Sequence, residues 1–332
     1  MDRSHQPLRA VRAMRVAAFD VGTNTTRLLV AEGPEGPEGP GGAPGANGAP
    51  RELKELDRRL VFTRLGQGVD RSRRLRPEAI ARTVAALEEL HGVAAGLGAQ
   101  RFRVGATSAV RDAVNRDTFV EAARAALGVD PEVLSGEDEA RLSYLGATAD
   151  LPPGRYLVTD IGGGSTEFVV GSGTSVEGRV SLDIGSVRLT ERHLASDPPA
   201  AAELAALEAD IDSALAATED AVGKASGAQF VGVAGTVTTL AALSLGLERY
   251  DPGRTHHFHL TAEQVEAWYR RLGALTVSER MELPCLPPAR ADVIVTGTAI
   301  LYRSMARWSF SDVVVSEKDI LDGLAQELLS RT

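Results

Sequence analysis

The sequence contains AAFDVGTNTTRLLVAE at residues 17–32 and a second stretch on the same plan, LVTDIGGGSTEFVVG, at residues 157–171. Each runs from an apolar strand to Asp, one apolar residue, Gly and small polar residues, and then into a second strand. Asp20 and Asp160 are 140 residues apart, which is about the length of one domain. The chain has 332 residues, more than one hydrophobic core usually serves. The repeat therefore predicts two similar lobes that face each other.

Both turns carry the residue types that a phosphate site needs. Glycines permit positive φ and let backbone N–H groups approach an anion; they stand at Gly22, Gly162, Gly163 and Gly164. Side-chain donors are added by Thr23, Asn24, Thr25, Ser165 and Thr166. The alternative is two tight hairpins with turn-forming glycines and capping aspartates, and one motif alone does not decide between them. The presence of the pair favours a phosphate site.

Two further features extend this interpretation. Asp20 and Asp160 follow apolar strands, where their carboxylates are placed to hold Mg²⁺ or its waters, with Mn²⁺ as an alternative. A third Gly-rich turn, VGVAGTVTTLAAL at residues 231–243, leads from an apolar strand into a helical pattern. Gly235 and Thr236 there place donors at a helix N-terminus, where the dipole favours an anion, although a Gly-Thr pair before a helix is often only a cap.

Short apolar segments alternate with helical patterns along the chain, which predicts an α/β architecture. Strand character is found at residues 16–19, 27–31, 53–63, 102–106, 155–159, 168–170 and 229–233. Helical patterns lie at residues 77–97, 200–226, 261–275, 294–308 and 316–329. Residues 1–13 have the composition of a disordered extension. Residues 33–50, with seven Gly and five Pro, predict a flexible insertion in a hairpin of the first lobe.

Bulk composition limits the partners and the compartment. Lys and Arg number 36 against 45 Asp and Glu, and this formal charge of −9 disfavours binding to nucleic acid or an anionic membrane. Cys285 is the single cysteine, which excludes an intrachain disulfide and fits a reducing compartment. No apolar run approaches the length of a membrane span, about 18 residues. We therefore expect a cytoplasmic protein with no nucleic-acid and no membrane partner.

Five segments resemble, in their order, those of the exopolyphosphatase and guanosine pentaphosphate phosphohydrolase family: DVGTNTTRLLV, ATSAVRDAVN, LSGEDEARLSYLG, DIGGGSTEFVVG and GVAGTVTTLAA. The similarity covers nearly the whole chain from Met14 onward. It implies an α/β fold of two actin-like (ribonuclease H-like) lobes, residues 14–138 and 139–332, with a phosphate-binding cleft between them. The last helix is a candidate to pack back on the first lobe. The resemblance also implies a magnesium-dependent phosphoanhydride hydrolase of the short form.

The resemblance gives roles to three residues. Glu139 in SGEDEAR matches the family's proposed catalytic base, and Glu167 in GGGSTE matches a second active-site carboxylate near the metal. Arg111 in TSAVRD matches an active-site Arg, whose planar guanidinium suits bidentate contact with phosphate oxygens. Ser135 has the position of an N-cap, which puts Glu139 in the first turn of a helix, where the dipole keeps its carboxylate ionised.

Plainer interpretations of these residues remain open from sequence alone. The acidic run that ends at Glu139 can simply complement the helix dipole, and Arg111 can form a surface pair with Asp112 or Asp117. A basic run precedes the first long helix and is either a solvated face or a guide for a polyanion: Arg58, Arg59, Arg64, Arg71, Arg73, Arg74 and Arg76. His257 and His259, with His256 beside them, would share a face of a strand, so a zinc site is an alternative use of THHFHL.

Several functions fit this set of motifs. The leading one is hydrolysis of the terminal phosphate of inorganic polyphosphate, and guanosine pentaphosphate presents the same kind of bond. A sugar- or acetate-kinase-like phosphotransferase would use the same phosphate clamp. A nucleotide- or alarmone-binding regulatory or structural protein is an alternative of another class. A homodimer is compatible with each of them.

Overall fold

The computed structural model describes residues 13–34, 53–223, 225 and 227–330. Residues 1–12 of the expected extension and residues 35–50 of the expected insertion lie outside the described residues. The described flanks of that insertion are the paired strands β2 and β3, whose bounds are given below, so it connects two strands of a hairpin. In the part of the chain that the structure describes, no helix is both long and apolar enough to cross a membrane.

The first lobe is built on a five-stranded sheet. Its strands are β1 Ala13–Val21, β2 Thr25–Pro34, β3 Lys54–Phe62, β4 Arg101–Ala106 and β5 Glu132–Val133. Their order across the sheet is β3-β2-β1-β4-β5. The strand β1 runs antiparallel to β2 and parallel to β4, so its carboxyl end, with Asp20, reaches the edge where parallel strands end.

The second lobe repeats this arrangement on a six-stranded sheet. Its strands are β6 Arg155–Ile161, β7 Thr166–Ser172, β8 Ser175–Leu182, β9 Gln229–Val233, β10 His259–Thr261 and β11 Asp312–Val315. The order is β10-β11-β9-β6-β7-β8, with β6 antiparallel to β7 and parallel to β9. The central strand of each lobe thus meets an antiparallel hairpin partner on one side and a parallel strand on the other, as the sequence repeat predicts.

The two repeated hairpins form the equivalent backbone hydrogen bond in their turns. In the first, the N–H of Gly22 donates to the carbonyl of Thr25 at 2.9 Å; in the second, the N–H of Gly162 donates to Ser165 at 3.0 Å. In the strand register, Asp20 is opposite Arg27 and Asp160 is opposite Glu167. The two copies therefore share a backbone frame and differ in the charge that faces each aspartate.

Helices cover the sheets and connect the lobes. They are α1 Val69–Ser72, α2 Pro77–Gly96, α3 Ser108–Asp112, α4 Arg116–Leu127, α5 Gly136–Ala147, α6 Ser186–His193, α7 Ala201–Ala216, α8 Glu219–Val222, α9 Ala234–Ser244, α10 Pro252–Thr255, α11 Ala262–Ala274, α12 Val277–Met281, α13 Ile294–Trp308 and α14 Ile320–Ser330. Within residues 200–226, the continuous helical region expected from Ala-rich sequence ends at Ala216. Ala is tolerated in helices and in turns alike, so composition alone did not locate this end.

Each sheet is buried on both faces because successive strand residues point to opposite sides. In the first sheet, Ala17 and Phe19 face a core with α2 and α4, while Val16 and Ala18 face the last helix, α14. In the second sheet, one face packs against α5 and the other against α7, α9, α11 and α13. The helices α5 and α14 therefore lie between the two sheets, and α14 carries the end of the chain back to the first lobe.

Two glycines set the close approach of α5 and α14. A Cβ at Gly146 of α5 would overlap the carbonyl of Asp319, and a Cβ at Gly323 of α14 would overlap the carbonyl of Leu142. Close contact of backbone with backbone needs a residue without a side chain. This crossing fixes the separation of the two sheets and so the width of the space between the lobes.

Candidate active site

A cleft opens between the lobes where the repeated turns face each other. Most phosphate-binding residues expected from the sequence line it: Gly22, Thr23, Asn24, Thr25, Gly162, Gly163, Ser165, Gly235 and Thr236. Gly164 lies just beneath, because a Cβ there would come within 2.5 Å of Ser108 Oγ and 2.6 Å of Thr23 Oγ1. The two loops are therefore in direct contact across the lobe interface, and only glycine fits at this point.

The second phosphate loop is held from behind by α6. The carbonyls of Gly162 and Gly163 accept hydrogen bonds from the first-turn N–H groups of that helix at 2.8–3.0 Å. The Gly164 carbonyl accepts from Arg188 Nε at 2.6 Å. Among the described residues, no acceptor is found for the N–H groups of Gly163 and Gly164, or for those of Thr23 and Asn24 in the first loop. Backbone donors from both loops are thus available to an anion.

The third turn adds a cation that the sequence did not reveal. The helix α9 begins at Ala234, and Arg290 Nη1 donates to the Gly235 carbonyl at 2.9 Å and to Thr239 Oγ1 at 2.7 Å. No described carboxylate forms an ion pair with Arg290, and its burial lowers the pKa to about 10, so it stays charged at neutral pH. It lies in PPARAD, a segment with no recognisable motif, and only the packing of this segment against α9 brings it to the cleft.

Glu139 lies in the first turn of α5, as expected, with Ser135 as its N-cap. The side chain lines the cleft and accepts a hydrogen bond from Arg111 Nη1 at 2.9 Å. The expectation that the helix dipole keeps the Glu139 carboxyl ionised is wrong, because its pKa lies near neutral pH. Burial raises the pKa of this carboxyl to about 7, and the carboxylates of Asp160 and Asp20 add to the shift, whereas Arg111 opposes it.

Arg111 acts on Glu139 rather than on the cleft. Its Nη1 also donates to the Leu134 carbonyl at 3.0 Å, and it is not among the residues that line the cleft. The surface pairs with Asp112 or Asp117 that the sequence allowed do not form. Direct contact between Arg111 and phosphate stays a prediction.

Glu167 is placed one layer below the cleft. The residue is only 1% exposed, and its Oε1 accepts from Ser181 Oγ at 2.7 Å. Burial raises its pKa well above the usual value, and the carboxylates of Glu139 and Asp160 raise it further. It does not line the cleft. Its expected roles as catalytic carboxylate and metal ligand therefore stay predictions. Direct contact with substrate or metal requires the Glu167 side chain to move, and indirect contact requires a bridging water.

Asp20 is held by a buried ion-pair network. Arg27 donates to Asp20 Oδ2 through Nε at 2.9 Å and Nη2 at 2.7 Å, and its Nη1 pairs with Asp319. Asp319 also accepts the N–H of Leu321 and so begins α14. Arg27 lies within the first repeated stretch, so its proximity was readable from the sequence. Asp319 was not, because it is 299 residues further along the chain than Asp20.

The carboxylates of Asp20 and Asp160 fit a divalent cation. They line the cleft from opposite lobes, and Ser143 Oγ orients Asp160 by a hydrogen bond of 2.5 Å. Burial raises the pKa of both, that of Asp160 to about 6, and the Asp319 carboxylate adds to the shift while Arg27 opposes it. A cation relieves such an excess of buried negative charge, and carboxylate oxygens are the hard ligands that Mg²⁺ and Mn²⁺ prefer.

The histidine cluster does not favour zinc. The strand β10 begins only at His259, which pairs with Asp312, so His257 and His259 do not share a strand face. His256 and His257 meet Asp150 instead. The Nδ1 of His256 accepts the N–H of Glu317, which leaves the proton on Nε2, the atom that a metal would need. Lys318 lies 2.8 Å from Asp150 and already neutralises it.

The basic run divides into two sets in the structure. Arg58 and Arg59 lie on β3 and line a second cavity, which shares Arg27 and Arg290 with the cleft. The exposed side chains of Arg71, Arg73, Arg74 and Arg76 line neither space. The run is therefore divided between the second cavity and the surface, and its role as a guide for a polyanion stays a prediction.

Comparison with known proteins places this geometry among characterised relatives. "Exopolyphosphatase 2" of Mycobacterium tuberculosis is 40% identical over 326 residues, which cover 95% of this chain and 98% of that protein. A crystal structure described as an exopolyphosphatase-like protein has a TM-score of 0.87 and 36% identity, over 95% of this chain and 98% of that one. The Aquifex aeolicus Ppx/GppA family member has a TM-score of 0.78 and 30% identity, over 96% and 98% of the two chains.

These neighbours confirm the fold class expected from the motifs, two actin-like α/β lobes with a cleft between them. The family model described as the Ppx/GppA phosphatase family matches residues 46–332, which is most of the chain. The repeated turns, the third turn at α9 and Glu139 of α5 all meet at one cleft, in the order in which the motifs occur. The chain belongs to the Ppx/GppA phosphatase family.

Proposed function

We propose that the chain hydrolyses the terminal phosphoanhydride bond of inorganic polyphosphate and releases orthophosphate. One observation carries the proposal: three phosphate-type turns, drawn from both lobes, meet around the buried carboxylate of Glu139, whose pKa lies near 7. Similarity to proteins named as exopolyphosphatases over nearly the whole chain supports the same reaction.

The free backbone donors hold the terminal phosphate. Those of Thr23 and Asn24 approach from the first lobe and those of Gly163 and Gly164 from the second, so the phosphate is gripped on two sides. The N-terminus of α9, at Gly235 and Thr236, adds the positive end of a helix dipole. Donors that are fixed before the substrate arrives stabilise charge without reorganisation during the reaction.

Glu139 is the proposed general base. Its ionised carboxylate accepts a proton from water as the water oxygen forms a bond to the terminal phosphorus. The bond from that phosphorus to the bridging oxygen breaks, and the shortened chain leaves with the electron pair. With a pKa of about 7, the carboxylate is ionised in a useful fraction of molecules at neutral pH and still takes up a proton readily.

Arg27 and Arg290 supply positive charge on the side where the shortened chain leaves, since both lie at the junction of the cleft and the second cavity. Arg27 is partly neutralised by Asp20 and Asp319, whereas Arg290 has no described carboxylate in an ion pair. Mg²⁺ held by Asp20 and Asp160 would neutralise charge on the phosphate oxygens as the reaction proceeds. The proposal includes a cytoplasmic location, and a homodimer stays a prediction.

The test supplies the purified chain with Mg²⁺ and, in parallel, short polyphosphate, long polyphosphate, guanosine pentaphosphate and ATP, and measures released phosphate. We expect release from polyphosphate that stops with a chelator and returns with Mg²⁺. Glu137→Gln is the matched control for Glu139→Gln, because Glu137 is in the same helical turn but exposed and paired with Arg179. Nucleotide-dependent phosphorylation of an added alcohol would instead indicate a phosphotransferase. Ligand binding without turnover would indicate a regulatory protein.

The second cavity favours guanosine pentaphosphate as a second candidate substrate. Besides its basic residues it carries apolar and aromatic side chains from both lobes, including Leu60 and Phe62 of β3 and Tyr250. Such a surface suits the ring face of a nucleoside, which inorganic polyphosphate lacks. Tyr250→Ala is expected to raise the KM for guanosine pentaphosphate several-fold and to leave that for short polyphosphate unchanged. An equal change in both would remove the reason for this candidate.

A further inference from the structure

Arg188 of α6 connects the two lobes directly behind the second phosphate loop. All three nitrogens of its guanidinium are engaged: Nε donates to the carbonyl of Gly164, Nη1 to Asp70 at 2.6 Å and Nη2 to Asp112. Asp70 belongs to α1 and Asp112 to α3, both in the first lobe, whereas Gly164 is in the second. The residue is only 6% exposed, so these contacts are made away from water.

The contacts act on the loop that meets the phosphate. The peptide unit that carries the Gly164 carbonyl also carries the N–H of Ser165, so holding this carbonyl toward Arg188 turns the Ser165 N–H to the opposite side, and Ser165 lines the cleft. A planar guanidinium makes three directed contacts at once, which an ammonium on a flexible chain does not reproduce. The shape of the loop therefore depends on where the guanidinium is held.

The position of the guanidinium in turn depends on the first lobe. Glu191, one turn further along α6, accepts the N–H of Gly68 at 2.9 Å, so α6 meets the first lobe at two places. Opening the lobes would remove Asp70 and Asp112 from Arg188 and free it to turn from Gly164. The Arg188 side chain thus belongs both to the interface between the lobes and to the support of the second phosphate loop.

We propose that Arg188 is a positioning residue that couples closure of the two lobes to the shape of the second phosphate loop. The inference deepens the proposed function, because the anion served by the loop is the terminal phosphate of that substrate. The structure assigns Asp70 and Asp112 the role of holding Arg188 to the first lobe, since both contact its guanidinium and neither lines the cleft.

The test uses the double variant Asp70→Asn with Asp112→Asn, which keeps side-chain shape and removes the charges. Orthophosphate affinity is measured by calorimetry, and backbone amide exchange at residues 162–166 by mass spectrometry. We expect the Kd for orthophosphate to rise about tenfold and the loop to exchange faster, although both substitutions are in the other lobe. Asp130→Asn, which breaks a pair with Arg124 inside the first lobe, is the control and should change neither quantity.

Arg188→Lys gives the second arm. The charge is kept but the directed contact to Gly164 is lost, so kcat for phosphate release should fall about a hundredfold with the overall fold retained by circular dichroism. Parental orthophosphate affinity and parental loop exchange in the Asn double variant would overturn the proposal, and this holds even where Arg188→Lys does not fold. Both measurements use orthophosphate alone. If the parent hydrolyses no phosphoanhydride, the proposed function fails while the coupling is still tested.

Discussion

Replacing Glu139 with Gln separates the catalytic from the structural consequences of a buried carboxylate. The substitution keeps size and removes basicity, so kcat should fall by roughly two to four orders of magnitude, with substrate affinity within a few-fold. If the carboxylate served only to complement the α5 dipole, its replacement would not lower kcat while leaving substrate affinity nearly unchanged. The same substitution is expected to raise the free energy of unfolding above neutral pH, and the size of this increase follows from the pKa of Glu139.

Burial raises the pKa of Glu139 from 4.5 to about 7. Between these pH values the folded protein keeps a proton that the unfolded chain has released, so stability falls as pH rises through this window and levels off above about pH 7. At about 1.4 kcal/mol per pKa unit, the ionised carboxylate lowers the free energy of unfolding by roughly 3 kcal/mol at pH 8. Gln carries no such charge. We therefore expect Glu139→Gln to be more stable than the parent at pH 8 and equal to it below about pH 4.5.

Urea unfolding in chelator-treated buffer measures this difference, followed by the fluorescence of Trp268 and Trp308 in the second lobe, on which α5 packs. Added Mg²⁺ should shrink the difference, because a cation beside Asp160 favours the ionised form of Glu139. Glu137→Gln should change neither turnover nor the pH dependence. Near-parental turnover of Glu139→Gln at saturating Mg²⁺ would refute the base assignment. A stability difference that did not vary with pH would refute the burial argument.

Three further substitutions test the cleft and the crossing below it. In Gly163→Val, a Cβ would lie 3.0 Å from Thr23 Cβ, so the loops are forced apart, and steady-state phosphate release should show a higher KM as well as a lower kcat. Arg290→Gln removes a cation for which no described carboxylate forms an ion pair, and it should weaken polyphosphate binding at least about tenfold by calorimetry, an effect that unchanged affinity would contradict. Gly323→Val collides with the Leu142 carbonyl and should cost at least about 2 kcal/mol in thermal or urea unfolding; a parental midpoint would mean that α5 and α14 are not so close.

The parts of the site that lie within short stretches of sequence could be predicted, and the parts that depend on packing could not. The turns at Gly22 and Gly162 were readable because each turn needs glycine, a following donor and a preceding strand within a few residues. Arg290 and Asp319 reach the cleft only through contacts between elements far apart in the chain. No local pattern marks them.

The prediction that Glu139 stays ionised was wrong for a related reason. A helix dipole is a local field that the sequence reveals, whereas desolvation depends on how closely the other lobe covers the residue. The zinc interpretation of His257 and His259 failed because it assumed a strand two residues longer than the one that forms. His257 has a φ of 61°, which ends the extended conformation there.

The matched hairpins also give the cleft a direction. Arg27 and Glu167 occupy the same place in two copies of one backbone frame, opposite Asp20 and Asp160, yet one is a guanidinium that lines the cleft and the other a carboxyl group buried below it. An inorganic polyphosphate chain has two chemically identical ends and no sense of its own. A cleft whose halves were charged alike would hold it equally well in either orientation. In the proposed reaction only the half with Arg27 offers a guanidinium to the cleft at this place, so a chain whose terminal phosphate lies between the loops is drawn toward Arg27 and the second cavity, and a symmetric polymer acquires a direction.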